Sequence, residues 1–150
     1  KLLGNQTMFS WGVLGFKEET AKQVEINLND KTSDFYLGER YENLLDFKTA
    51  DPNNERFERL TNEKDHYYSY LYGALYIKQV TTQWKKARFN ISDRPEIVAT
   101  LFNIGFANSE PKINPQIGGA DIDIGDTQIS FGELAGQFYY SDELVGEFPR

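Results

Sequence analysis

The chain has 150 residues, 39% of them hydrophobic and 15% aromatic, with a net charge of −7 and no cysteine. That much apolar material predicts one packed globular domain rather than disorder, and the acidic balance excludes the basic footprint that a nucleic-acid binder needs. The missing cysteines exclude disulfides, thiolate metal sites and a thiol nucleophile, and the lone His66 leaves no multi-histidine metal site.

Glu18 and Glu19 open a first helix, where carboxylates favour the positive end of the helix dipole. Ala21, Val24 and Leu28 supply its apolar face. The two glutamates read as a solvated first turn; the alternative is that one of them serves as a catalytic acid. Residues 29–62 are polar and broken. Asp51-Pro52-Asn53-Asn54 marks a turn there, and short helices are expected around 35–47 and 56–60. The longest helical pattern covers 65–87, where Tyr67, Leu71, Ala74, Leu75, Val80 and Trp84 recur near the 3.6-residue period. Gly73 inside it costs about 1 kcal/mol relative to alanine, which predicts a close helix contact at that position. His66 reads as a solvated residue at the start of this helix.

The run from Arg94 to Gly105 reads as an apolar helix. Asp93 is expected to cap it, with Glu96 closing a capping box and Pro95 in the first turn, where a missing N–H costs nothing. Gly105 is expected to stop it in a left-handed conformation. Asn103 then sits at a helix end, either capping the helix or offering donor and acceptor to a ligand rich in amides and hydroxyls. Beyond it, 107–117 is loop-like, and Ile122 and Ile124 alternate with Asp121 and Asp123 before Gly125-Asp126 and Ile129. That is a β-hairpin pattern with a Gly-Asp turn. Ser130 and Glu133 form a capping box for a last helix through Leu134, Ala135 and Phe138, and a short turn then carries Leu144, Val145 and Phe148 to Pro149. No run is long and apolar enough for a membrane span, and Lys1-Leu2-Leu3 is too short for a signal peptide.

Three segments resemble, in order, landmarks of the lytic transglycosylases and goose-type lysozymes. Ser10-Trp11-Gly12-Val13-Leu14-Gly15-Phe16-Lys17-Glu18-Glu19-Thr20-Ala21 is similar to their Ser-x-Gly-x-x-Gln-x-Lys-x-x-Thr-Ala segment. Gly73-Ala74-Leu75-Tyr76-Ile77-Lys78-Gln79-Val80 is similar to their Gly-x-x-Tyr-Leu-x-x-Leu helix, and Phe102-Asn103-Ile104-Gly105 to their Tyr-Asn-x-Gly segment. The resemblance covers residues 8–106. It implies a mainly α (α+β) fold: a single lysozyme-like helical domain over 1–150, with a family-like core at 1–106. Residues 107–150 then form an extension of loop, hairpin and C-terminal helix.

The same resemblance implies a peptidoglycan-directed domain that acts on the bond between N-acetylmuramic acid and N-acetylglucosamine, outside the cytoplasm, without metal or organic cofactor. Asn103 would hold the sugar and Phe102 would pack the groove floor. Gly15 stands where the family has a groove-lining Gln, Tyr76 belongs to the second motif, and Tyr36 lies where insertions cover the groove. The departures are equally plain. The family's catalytic Glu precedes the first motif, but no Glu occurs here before Glu18, and Phe102 lacks the hydroxyl of the family's Tyr. No catalytic residue is therefore assigned. The expectation is either a domain whose Glu comes from an N-terminal segment or partner chain, or a non-catalytic glycan-binding or protein-docking module on the same scaffold.

Overall fold

The computed structural model describes residues 10–147. These residues form five α-helices and one two-stranded antiparallel sheet, a mainly α chain with a small β element near its C-terminal end. The helices are α1 (Glu18–Asn29), α2 (Pro52–Thr61), α3 (Tyr67–Lys86), α4 (Pro95–Ile104) and α5 (Phe131–Tyr140); the strands are β1 (Asp121–Ile124) and β2 (Thr127–Ser130). The chain divides into two compact units, Lys1–Thr82 and Gln83–Arg150, at a boundary inside α3.

The first unit begins with a tight reversal. Trp11 and Phe16 exchange backbone hydrogen bonds of 2.7 and 3.0 Å across four residues. Gly12 and Gly15 make this possible by adopting φ of +66° and +64°, which only glycine enters without steric cost. The reversal then feeds α1, which buries Ala21, Val24 and Leu28 as the periodicity requires. Glu18 departs from the expected solvated turn: it is only 8% exposed and pairs with Lys22 at 2.8 Å, whereas Glu19 stays in solvent. Residues 35–47 hold only a 3₁₀ turn, Glu39–Tyr41, instead of a short helix. Gly38 at φ +105° and side-chain pairs of Lys31 with Glu39 and of Tyr36 with Glu42 fix that segment as a loop.

The expected turn at Asp51–Asn54 proves to be the start of α2. Asp51 accepts the Asn54 N–H at 3.1 Å, and Pro52 fits the first turn, so the helix begins four residues before Arg56. α3 lies where its pattern placed it, and Leu75, Val80 and Trp84 are buried as the pattern requires. The buried face also takes in Tyr72, Tyr76 and Gln79, while Tyr67 and Ala74 are exposed. Gly73 lies on this buried side. A Cβ there would lie 2.5 Å from Leu14 Cδ1, so the close contact it permits is with the 11–16 reversal rather than with another helix. Phe16 meets Tyr72 and Tyr76 edge-on at 6.2 and 6.4 Å, completing the core of this unit.

In the second unit, the buried Trp84 donates its indole N–H to Ser109 Oγ at 3.0 Å, and Gln83 exchanges hydrogen bonds with Ser109 at 2.6 and 3.0 Å. α4 buries Ile97, Thr100 and Leu101. Its expected capping box is absent: the N-cap is Arg94 rather than Asp93, and Glu96 accepts from Arg94 Nε at 2.9 Å. Pro95 at the first position makes a side-chain cap dispensable, because it removes one of the donors a cap would satisfy. Gly105 ends the helix with φ +87° and ψ 166°, a glycine-only region but not the left-handed helical one. β1 and β2 pair through Asp121↔Ser130 to Ile124↔Thr127 around Gly125-Asp126, and both bonds of the Ser130/Glu133 capping box are formed at the start of α5. The expected turn from Ser141 is formed as far as Glu147, with Val145 N–H bonding Asp142 O at 3.3 Å and Glu147 N–H bonding Leu144 O at 3.2 Å; Phe148 and Pro149 lie outside the described residues.

Candidate functional site

In the second unit, α4 holds the cleft with the best-defined walls. Thr100 Oγ1 donates to Glu96 O at 2.7 Å and accepts the Gly118 N–H at 3.0 Å. One turn on, Asn103 Oδ1 accepts the Ala120 N–H at 2.7 Å. These two side chains pin residues 118–120 along the helix. The space beneath is a cleft of about 240 Å³ with a floor of Ile97, Leu101 and Ile104 and walls from Pro115 to Gly119. Glu110 and Lys112 stand at its rim, both exposed. The volume lies just under the roughly 300–1,000 Å³ usual for small-molecule clefts, so it suits one ring-sized group rather than an extended chain. An apolar floor of this size can take a methyl group such as that of an acetamido group, while the Gly118 and Ala120 N–H groups are already given to Thr100 and Asn103. The cleft contains no buried acid or base with which to do chemistry.

Asn103 is exposed, and its oxygen is already engaged by Ala120; no described residue takes its Nδ2 donors. It therefore has a structural task, joining the approach to β1 onto α4, and retains donor capacity beside Gly119, although it does not itself line the cleft. Phe102 is half-buried in the same unit.

Gly15, Tyr36 and Tyr76 belong to the first unit. Gly15 is exposed and serves the 11–16 reversal. Tyr76 has no exposed surface, and burial raises its pKa far above the ordinary phenol value, so a ligand cannot reach it without opening the core. Tyr36 is half-buried and donates to Glu42 at 2.6 Å; that hydrogen bond raises the Tyr36 pKa and commits its hydroxyl.

The first unit also contains a charged network that the sequence did not single out. Glu25 receives Arg56 through Nε at 2.7 Å and Nη2 at 2.6 Å, and Tyr72 Oη donates to it at 2.5 Å. Arg59 donates to Glu55 and to the carbonyls of Leu45 and Asp46, while Glu55 accepts the N–H groups of Lys48 and Thr49. The arginines stack over Phe47 at 5.2 and 4.8 Å. Every charge here has its partner, which suits a clamp holding loop 45–49 and α1 to α2. The one sequence signal was Glu25 itself, a charge placed one position along from the apolar face of α1. Glu18 is likewise committed: its hydrogen bond raises the Lys22 pKa and keeps that ammonium charged.

Among the described residues no group of three or more His, Asp or Glu side chains is placed to hold a metal ion, and no helix is long and apolar enough to cross a membrane. Comparison with family models, curated proteins and solved structures finds no match to this chain.

Proposed function

We propose that this chain is a lysozyme-like, peptidoglycan-directed domain whose own residues recognise N-acetylated glycan rather than cleave it. The observation that carries the reading is the α4 cleft, with its apolar floor of Ile97, Leu101 and Ile104, and the exposed Asn103 amide next to its wall residue Gly119. The packing of the first motif onto the second supports it, because the 11–16 reversal seats on α3 at Gly73. Cleavage requires a protonated carboxylic acid poised beside the glycosidic oxygen. The Glu18 carboxylate is occupied by the Lys22 ammonium at 2.8 Å rather than free to face a ligand.

The test separates ligand contact from structural support at Asn103. Asn103→Asp keeps an oxygen for the Ala120 N–H and removes the Nδ2 donors. Calorimetric titration with the neutral oligomer chitotetraose is expected to show binding to the native chain, weakened about threefold to tenfold in Asn103→Asp, the usual worth of one hydrogen bond. Amide resonances of Gly118, Gly119 and Ile104 should shift on titration. The same chain should leave a suspension of purified peptidoglycan turbid. No chitotetraose binding, or binding with those resonances unmoved, overturns the recognition reading. Clearing that is lost in Glu18→Gln would make the chain an enzyme with Glu18 as its acid.

A further inference from the structure

The charge of the chain is concentrated in one stretch. Residues 107–147 carry eight acidic side chains against Lys112 alone. The same stretch displays large apolar side chains to solvent: Phe138, Tyr139, Tyr140, Leu144 and Val145 are each between 41% and 57% exposed. The reason lies in how α5 is packed. Gly132 and Gly136, one helical turn apart, face α4, and a Cβ on either would press on Glu96. The helix thus spends its smallest residues on its contact with α4, and its last turn, from Gln137 to Tyr140, is exposed. Tyr139 and Tyr140 meet edge-on at 5.2 Å, and Tyr140, on the Gly136 side, reaches Asp93 O with its Oη at 3.4 Å, so these two rings are held rather than loose.

Exposed aromatic and aliphatic side chains grouped in this way mark contact surfaces on soluble proteins. Here Asp142, Glu143 and Glu147 follow the helix within the same stretch. The sign of these charges selects the partner. A second copy of the chain would bring the same negative charge to the contact, and like charges facing one another disfavour association. Phosphate-bearing partners, nucleic acid or anionic lipid, are repelled for the same reason.

We propose that the exposed last turn of α5 and the turn that follows it, residues 138–147, is a docking surface for a basic amphipathic helix of a partner protein. Its apolar side chains would cover Phe138 and Leu144 while its Lys or Arg residues meet the acidic side chains of the turn. The inference does not depend on the glycan reading, since it uses neither the cleft nor Asn103.

The test titrates the 150-residue chain with a labelled synthetic helix of Lys and Leu in amphipathic spacing. A Glu/Leu helix of the same pattern and polylysine serve as controls. Binding of the Lys/Leu helix is expected, with amide shifts confined to 131–147, weakening as salt is raised. Phe138→Ser and Leu144→Ser should each lower its affinity about tenfold, as for a central contact residue, and leave polylysine binding and the melting temperature unchanged. No binding of the Lys/Leu helix overturns the proposal. So do shifts located elsewhere, equal binding of the Glu/Leu helix, or affinity untouched by both substitutions, which would reduce the effect to charge attraction alone.

Discussion

At the scale of single residues, the firmest structural statement concerns Glu25, Arg56 and Tyr72. The Arg56 side chain is 5% exposed and that of Glu25 14%, so neither charge is stabilised by bulk water. Arg56 satisfies both carboxylate oxygens in a fork geometry that lysine cannot reproduce, and it also donates to Asn53 at 3.0 Å. Removing one member of such a pair strands the other, at a cost of about 3–5 kcal/mol. Arg56→Met is therefore expected to lower stability by that order in chemical denaturation, and Arg56→Lys to recover only part of it. Native-like stability in Arg56→Met would show the pair to be dispensable. Asn103 teaches a related lesson. Its position at a helix end was legible, but its oxygen serves Ala120, seventeen residues away, which no local pattern reveals.

At the scale of elements, the contact of α5 with α4 depends on two glycines of unequal importance. A Cβ at Gly132 would collide with Thr100 Oγ1 and lie 2.7 Å from Glu96 O and 3.0 Å from Gly118 O; at Gly136 the nearest atom is Glu96 Cβ at 3.0 Å. Backbone carbonyls cannot step aside as a side chain can. Gly132→Ala should cost about 1–3 kcal/mol through overpacking, with Gly136→Ala costing less. Thermal melts of the two variants check the order, and a more stable Gly132→Ala would mean that α5 does not sit on α4 in this way. Because Gly118 and Thr100 wall the α4 cleft, Gly132→Ala should also weaken chitotetraose binding. The elements whose signals are local were the ones legible beforehand: α1, α3, the hairpin with its Gly125-Asp126 turn, and the Ser130/Glu133 box. The α4 cap was misread because Asp93 and Glu96 have capping-box spacing, but Arg94 takes the cap position and binds Glu96 instead.

At the scale of the whole molecule, the buried phenols give the chain an alkaline limit. Burial raises the pKa of Tyr72, helped by its hydrogen bond to Glu25, and burial alone raises that of Tyr76. Both must stay neutral while folded, whereas in the unfolded chain they ionise near the ordinary value of 10.0. Their contribution is therefore complete below pH 10 and falls away as pH rises from there through the folded values. Phenolate absorbance should rise in an early phase from accessible tyrosines. Tyr72 and Tyr76 should follow later, together with loss of near-ultraviolet circular dichroism. Ionisation of all nine tyrosines in one early step with the dichroism intact would contradict their burial.

The sequence by itself determined the mainly helical class, the positions of the long helix and the hairpin, and the acidic balance. Each follows from interactions within a few residues: a 3.6-residue period, a Ser-x-x-Glu cap, a glycine where φ must be positive. Only the tertiary structure decided how far the buried face of α3 extends, because that depends on Leu14 and Phe16 descending onto Gly73 from nearly sixty residues away. It alone placed Tyr76 in the core rather than in a groove, and Glu18 in an ion pair rather than in solvent. The cleft on α4 belongs to the same class. Its walls are drawn together by Thr100 and Asn103 bonding to Gly118 and Ala120, contacts whose partners are chosen by packing and leave no periodic trace in the chain.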